Sequence, residues 1–148
     1  MTFAFYLVDE KTMPPESAAG SPSAAPEAII AKIREEGGPW AEIRGNVDEF
    51  ADAFITLDGF VEGEGLLPNL AFAGSPHLML TGAPGRWRLG YFEASLAPSL
   101  DGAFRLLSDE IGAAFAEKSE TTVDTLEAFT SALSEANQRG LAVAILHE

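Results

Sequence analysis

The chain has no cysteine, and among its 148 residues there are only two histidines and nine lysines and arginines. The missing cysteines remove disulfides, thiolate zinc sites and cysteine nucleophiles together, and they fit a reducing compartment. Histidine is the usual catalytic base, and only His77 and His147 exist. No serine sits in a glycine-flanked elbow, because AGSPH (73–77) lacks the second glycine. No apolar run reaches the ~18 residues that a membrane span needs. The N-terminal MTFAFYLVDE has no basic region and meets acid at Asp9, so it reads as a strand and not as a signal peptide. A cytoplasmic chain of one domain, 1–148, is expected.

What is abundant is acid. Twenty-three Asp and Glu give a net charge of −14, and the charge is uneven. Residues 31–64 carry nine acids against three bases, and residues 109–148 carry eight against two. Residues 65–108 are the exception, with Arg86, Arg88 and Arg105 against Glu93 and Asp101. Such a molecule repels nucleic acid and anionic membranes and attracts basic partners. Acidity that only keeps a small domain soluble is the alternative.

The apolar pattern divides the chain. FAFYLV (3–8) is β-rich and apolar on both faces, as an interior strand is. MPPESAAGSPSAAP (13–26), with four prolines, offers little to bury and is expected to be a mobile surface loop. PEAIIAKIREEGG (26–38) has a proline start, a glycine stop and a stripe of Ile29, Ile30 and Ile33, so it predicts a helix. NVDEFADAFITL (46–57) predicts another, opened by Asn46 with Glu49 three residues on and striped by Phe50, Phe54 and Leu57. HLMLTGAPGRWRLGYF (77–92) reads as a hairpin around GAPG, with Trp87, Leu89 and Tyr91 to one side and Arg86 and Arg88 to the other.

SLDGAFRLLSDEIGAAFAEK (99–118) reads as one helix, weakened at its ends by Gly102 and Gly112. TVDTLEAFTSALSEANQRG (122–140) predicts a helix capped by Thr122, striped by Leu126, Phe129 and Leu133, and stopped by Gly140. LAVAILHE (141–148) closes the chain as a strand. The order of elements makes the fold α+β: one mixed or antiparallel sheet, of the terminal strands plus a central hairpin, with about four helices. The terminal strands are expected at the centre of the sheet. HLMLTG (77–82) and LEAFTSALSEANQRGLAVAILHE (126–148) resemble the corresponding parts of the bacterial YfbM-like domain family. That resemblance covers the second half of the chain. It implies an α+β fold and nothing about chemistry.

LDGFVEGEGLL (57–67) alternates Asp58, Glu62 and Glu64 with glycines. A calcium loop starting at Asp58 would need a ligand at its third position, where Phe60 stands. A phosphate cradle would want a lysine, and this stretch has three negative charges instead. No metal and no cofactor is expected. Asp48, Asp52, Asp58, Glu62 and Glu64 therefore read as an acidic surface for a basic protein partner, in the manner of a toxin-immunity protein. A small-molecule site or enzyme built on His77, Arg86 and Arg88 is the alternative, although the two arginines equally suit internal pairing with the acidic helices.

Overall fold

A computed structural model of the chain describes residues 2–9, 11, 35, 38–60, 89–92 and 94–147. Four strands and four helices lie among them: β1 (Thr2–Val8), β2 (Ala41–Arg44), α1 (Val47–Asp58), β3 (Leu89–Phe92), α2 (Ala97–Leu106), α3 (Ser108–Phe115), α4 (Glu120–Arg139) and β4 (Ala142–His147). The strands form one antiparallel sheet in the order β2-β1-β4-β3. The fold is α+β. The terminal strands β1 and β4 are the central pair, which is why both read as apolar without alternation: Phe3, Phe5, Ala4 and Val8 are buried, and so is every residue from Ala142 to Leu146.

One face of the sheet carries the helices. Phe3 and Phe5 of β1, Val143 and Ile145 of β4 and Phe92 of β3 join one cluster with Phe50, Phe54 and Leu57 of α1 and Phe129 and Leu133 of α4. Register explains the shared face, since Phe5 pairs with Ile145 and Phe92 with Val143. Phe3 stacks flat on Phe50, with centroids 3.8 Å apart. Phe129 meets four other rings: Phe54 and Phe92 at 4.9 Å, Phe104 at 6.2 Å and Phe5 at 6.5 Å. Offset and tilted pairs at these distances suit the quadrupoles of the rings.

Two expectations are corrected. In β3, Phe92 is buried in the core on the face set by its register with Val143, and the side chains of Trp87, Leu89 and Tyr91 lie outside those described. The single helix over 99–118 is two helices, starting at Ala97 and broken at Leu107, whose ψ of 18° ends α2. Neither glycine makes the break: Gly102 and Gly112 sit inside α2 and α3, and Leu107 turns where it packs against the core. The last helix starts at Glu120 and is capped by Ser119, not Thr122, because the Ser119 side chain accepts the Thr122 N–H. It stops at Gly140, with φ 67°, as its sequence requires. The loop at 13–26, the first strand of the hairpin and the helix at 26–38, apart from Glu35, which is helical, and Gly38, lie outside the described residues.

Phe129 meets rings of four other elements. Phe129→Ala should lower stability by about 3–5 kcal/mol, while Leu106→Ala, at an 83% exposed position, should stay within about 0.5 kcal/mol. Urea unfolding of the two variants checks this, and similar losses would contradict the packing.

Candidate functional site

The acidic residues singled out in the sequence fall on α1 and beyond it. Asp48 is exposed, and Asp52 and Asp58 are half-buried. Asp48 and Asp52 lie one turn apart on one face, and at about 100° per residue Asp58 comes round roughly 120° from Asp52. Glu62 and Glu64, like His77, Arg86 and Arg88, lie outside the described residues. Among the described residues no group of three or more Asp, Glu or His is placed to hold a metal ion. No described helix is long and apolar enough to cross a membrane.

The acids around Asp48 belong to a junction of two helix starts. Asn46 caps α1: its Oδ1 accepts from the Glu49 N–H at 2.8 Å, and its Nδ2 donates to Glu49 Oε1 at 2.8 Å. The other oxygen of that carboxylate, Oε2, lies 2.9 Å from the Oγ of Ser119, the cap of α4. Thr122, buried in the first turn of α4, donates its hydroxyl to the Glu49 carbonyl at 2.9 Å. Glu49 thus joins the two N-termini, whose dipoles favour a negative charge. Its carboxyl is held below the usual carboxylate value, first by the hydrogen bond from Ser119, then by that from Thr121, with Asn46 adding and partial desolvation opposing. The sequence pointed to the Asn46–Glu49 pair, but the link to Ser119 spans 70 residues and has no local signal.

Beside this junction the turn between α3 and α4 folds back on α1. Lys118 Nζ lies 3.2 Å from both carboxylate oxygens of Asp52. Between α1 and the turn is an open hollow of about 540 Å³, lined by the carboxylates of Asp48, Glu49, Asp52 and Glu117 against the one cation of Lys118. Ile55, 47% exposed, stands on the same wall. Four acids to one base leave a strong negative field, but Glu49 and Asp52 are engaged within the fold. Asp48 and Glu117, both exposed, are the carboxylates most open to a partner.

Gly45, between β2 and α1, presses on the same junction. A Cβ there would lie 2.5 Å from Thr121 Cγ2, and the χ1 of a threonine is stiff. No protein-family model matches the chain, and no characterised protein or solved structure was found to be similar to it.

Two outcomes test the junction. Gly45→Ala should destabilise by about 1–3 kcal/mol, and a double-mutant cycle with Thr121→Ala should show a coupling that recovers much of the loss. Merely additive effects would mean that the backbone shifts at little expense. For Glu49, a lowered folded value means stability fully present above the ordinary value of 4.5 and lost as pH falls through the lowered one. Glu49→Gln should therefore unfold earlier than wild type near neutral pH, with the gap in denaturation midpoints closing as the pH falls below 4.5. A gap independent of pH would show that the charge at Glu49 contributes nothing.

Proposed function

We propose that the chain is a non-catalytic, cytoplasmic binding protein that neutralises a basic protein partner, in the manner of a toxin-immunity protein. The observation that supports this reading is the hollow between α1 and the α3–α4 turn, where four carboxylates face a single lysine and exposed Ile55 offers an apolar contact. The rest of the charge acts in the same direction. Arg105, Lys118 and Arg139 are each engaged by a carboxylate of the fold, Asp101, Asp52 and Glu135, and the net charge with every cation counted is −14. An acidic surface of this kind raises the association rate with a basic partner and repels nucleic acid and anionic membrane. A reading as an enzyme rests on His77, Arg86 and Arg88, for which no described geometry speaks.

A neighbouring gene encoding a basic toxin domain would favour the reading most directly. The physical test is kinetic. A basic partner captured from the source cell at low salt should bind the Asp48→Lys/Glu117→Lys variant with an on-rate about tenfold or more below wild type. Its off-rate should change less, and the dependence on ionic strength should weaken with it. Equal on-rates at low salt would mean that this acid serves solubility alone.

A further inference from the structure

A second concavity lies further along α4, a groove of about 490 Å³ between that helix and the corner of α2 and α3. Its apolar lining comes from Phe104, Ile111 and Leu126, and Gly112 leaves it open: a Cβ built there meets nothing within 4 Å. A glycine inside a helix lowers helix stability by up to about 1 kcal/mol relative to alanine. Among the described residues no close packing requires one at this position, and what its missing side chain leaves is depth in the groove.

The walls are preset. Asp101, 6% exposed, accepts both contacts of Arg105 Nε at 3.1 Å and the Asn137 side-chain N–H at 3.0 Å. The Arg105 guanidinium also donates to Ser134 Oγ at 2.6 Å. This network ties α2 to α4 and neutralises the one cation of the lining, which leaves Glu127 as its net charge. Glu120, Asp124 and Glu127 are exposed along one face of α4 at i, i+4 and i+7, and exposed Asp109 follows Ser108 on α3. Leu106, 83% exposed, stands at the α2–α3 corner. An apolar trough with Glu127 in its wall, on helices that also carry exposed Asp124 and Asp109, is complementary to an amphipathic helix whose apolar face is bordered by lysine or arginine.

We propose that this groove seats a basic amphipathic helix of a protein partner, apolar face down, with its cations against Glu127, Asp124 and Asp109. The proposal rests on the reading of the chain as a binder of a basic protein, and it assigns the seat to a surface separate from the hollow beside α1. The hollow would speed encounter, and the groove would set how long the complex lasts.

The test uses the full chain and a synthetic peptide of about 14 residues, with Leu on one helical face and Lys on the other. Two control peptides accompany it: one of equal charge with Ser in place of Leu, and one with Glu in place of Lys. Titration by fluorescence anisotropy should show the Leu/Lys peptide binding one to one and at least about tenfold more tightly than either control. Gly112→Leu fills the trough and should weaken the Leu/Lys peptide about tenfold or more while its melting temperature stays level or rises. Glu127→Lys should weaken it as well, whereas Asp48→Lys/Glu117→Lys should slow association and leave the dissociation rate near wild type.

Binding that survives Gly112→Leu and is lost in the Asp48→Lys/Glu117→Lys variant would overturn the groove and keep the hollow. Equal binding of the Ser peptide would overturn it too, since charge alone would then suffice. Equal binding of the Glu peptide would mean a seat for any apolar segment, against the basic partner proposed. No binding of the Leu/Lys peptide would overturn the seat while leaving capture at the hollow to stand or fall on its own kinetics. Self-association of wild type that Gly112→Leu abolishes would assign the groove to a second copy instead.

Discussion

Phe129 sits where the central strands and three helices converge, and the other elements are placed by having to reach it. Its ring lies within 6.5 Å, centroid to centroid, of rings from β1, α1, β3 and α2. A phenylalanine in that position excludes water from all four at once, and its burial alone is worth about 1.5–3 kcal/mol. The small residues on the same side of α4, Ala128, Ala132 and Ala136, are buried as well. They let the helix lie close to the sheet, so that the large rings of β1, α1 and β3 meet around it. The length of α4, 20 residues, then leaves its opposite face to solvent, and that face is where Glu120, Asp124 and Glu127 stand.

The start of α4 is fixed by polar contacts instead. Asn46, Glu49, Ser119 and Thr122 satisfy one another across two helix N-termini, where free N–H groups would otherwise face each other. The Ser119 hydroxyl has one proton, and the charged oxygen of Glu49 is its stronger acceptor. Some of the acid that gives the chain its net charge is therefore structural. Glu49 holds a junction, Asp101 holds Arg105, and Asp52 holds Lys118. Acid at a helix start is stabilising for the helix itself, so a count of carboxylates overstates how many remain to meet a partner.

Those contacts also mark the limit of what the sequence makes legible. The stripe of Phe50, Phe54 and Leu57, the Asn46–Glu49 start and the Gly140 stop are local patterns, and the structure has them where the spacing puts them. The central place of the terminal strands followed from their lack of alternation, which only strands buried on both faces tolerate. Leu107 gave no warning, because the turn between α2 and α3 comes from packing of that leucine and not from a glycine or proline. Phe92 was hidden for a related reason: in WRLGYF the apolar parity is Trp87, Leu89 and Tyr91, whereas Phe92 shares its parity with Arg88 and Gly90, and its burial comes from pairing with β4. Ser119 and Thr122 are both good caps by type, and what separates them is that Ser119 Oγ accepts the Thr122 N–H while the Thr122 hydroxyl is turned to the Glu49 carbonyl, 73 residues away. The site was legible only as charge. Asp48 and Asp52 share a face, as their spacing implies, but nothing in the spacing told which acids the fold would engage.

Under the two proposals the concavities would divide the physical work of binding in a way that composition could not suggest. Long-range attraction depends on the net charge and acts at any acidic surface, but salt screens it over about 8–10 Å and it confers little residence time. Residence comes from apolar area removed from water, which is short-ranged and indifferent to salt. The hollow beside α1 has field and a single exposed isoleucine, whereas the groove beside α2 and α3 has apolar lining with its arginine already neutralised by Asp101. Had Asp101 been absent, Arg105 would put a bare cation at the mouth of the trough and repel a lysine-bordered helix. On the proposal of a basic partner, the buried carboxylate of Asp101 would serve the groove as well as the fold.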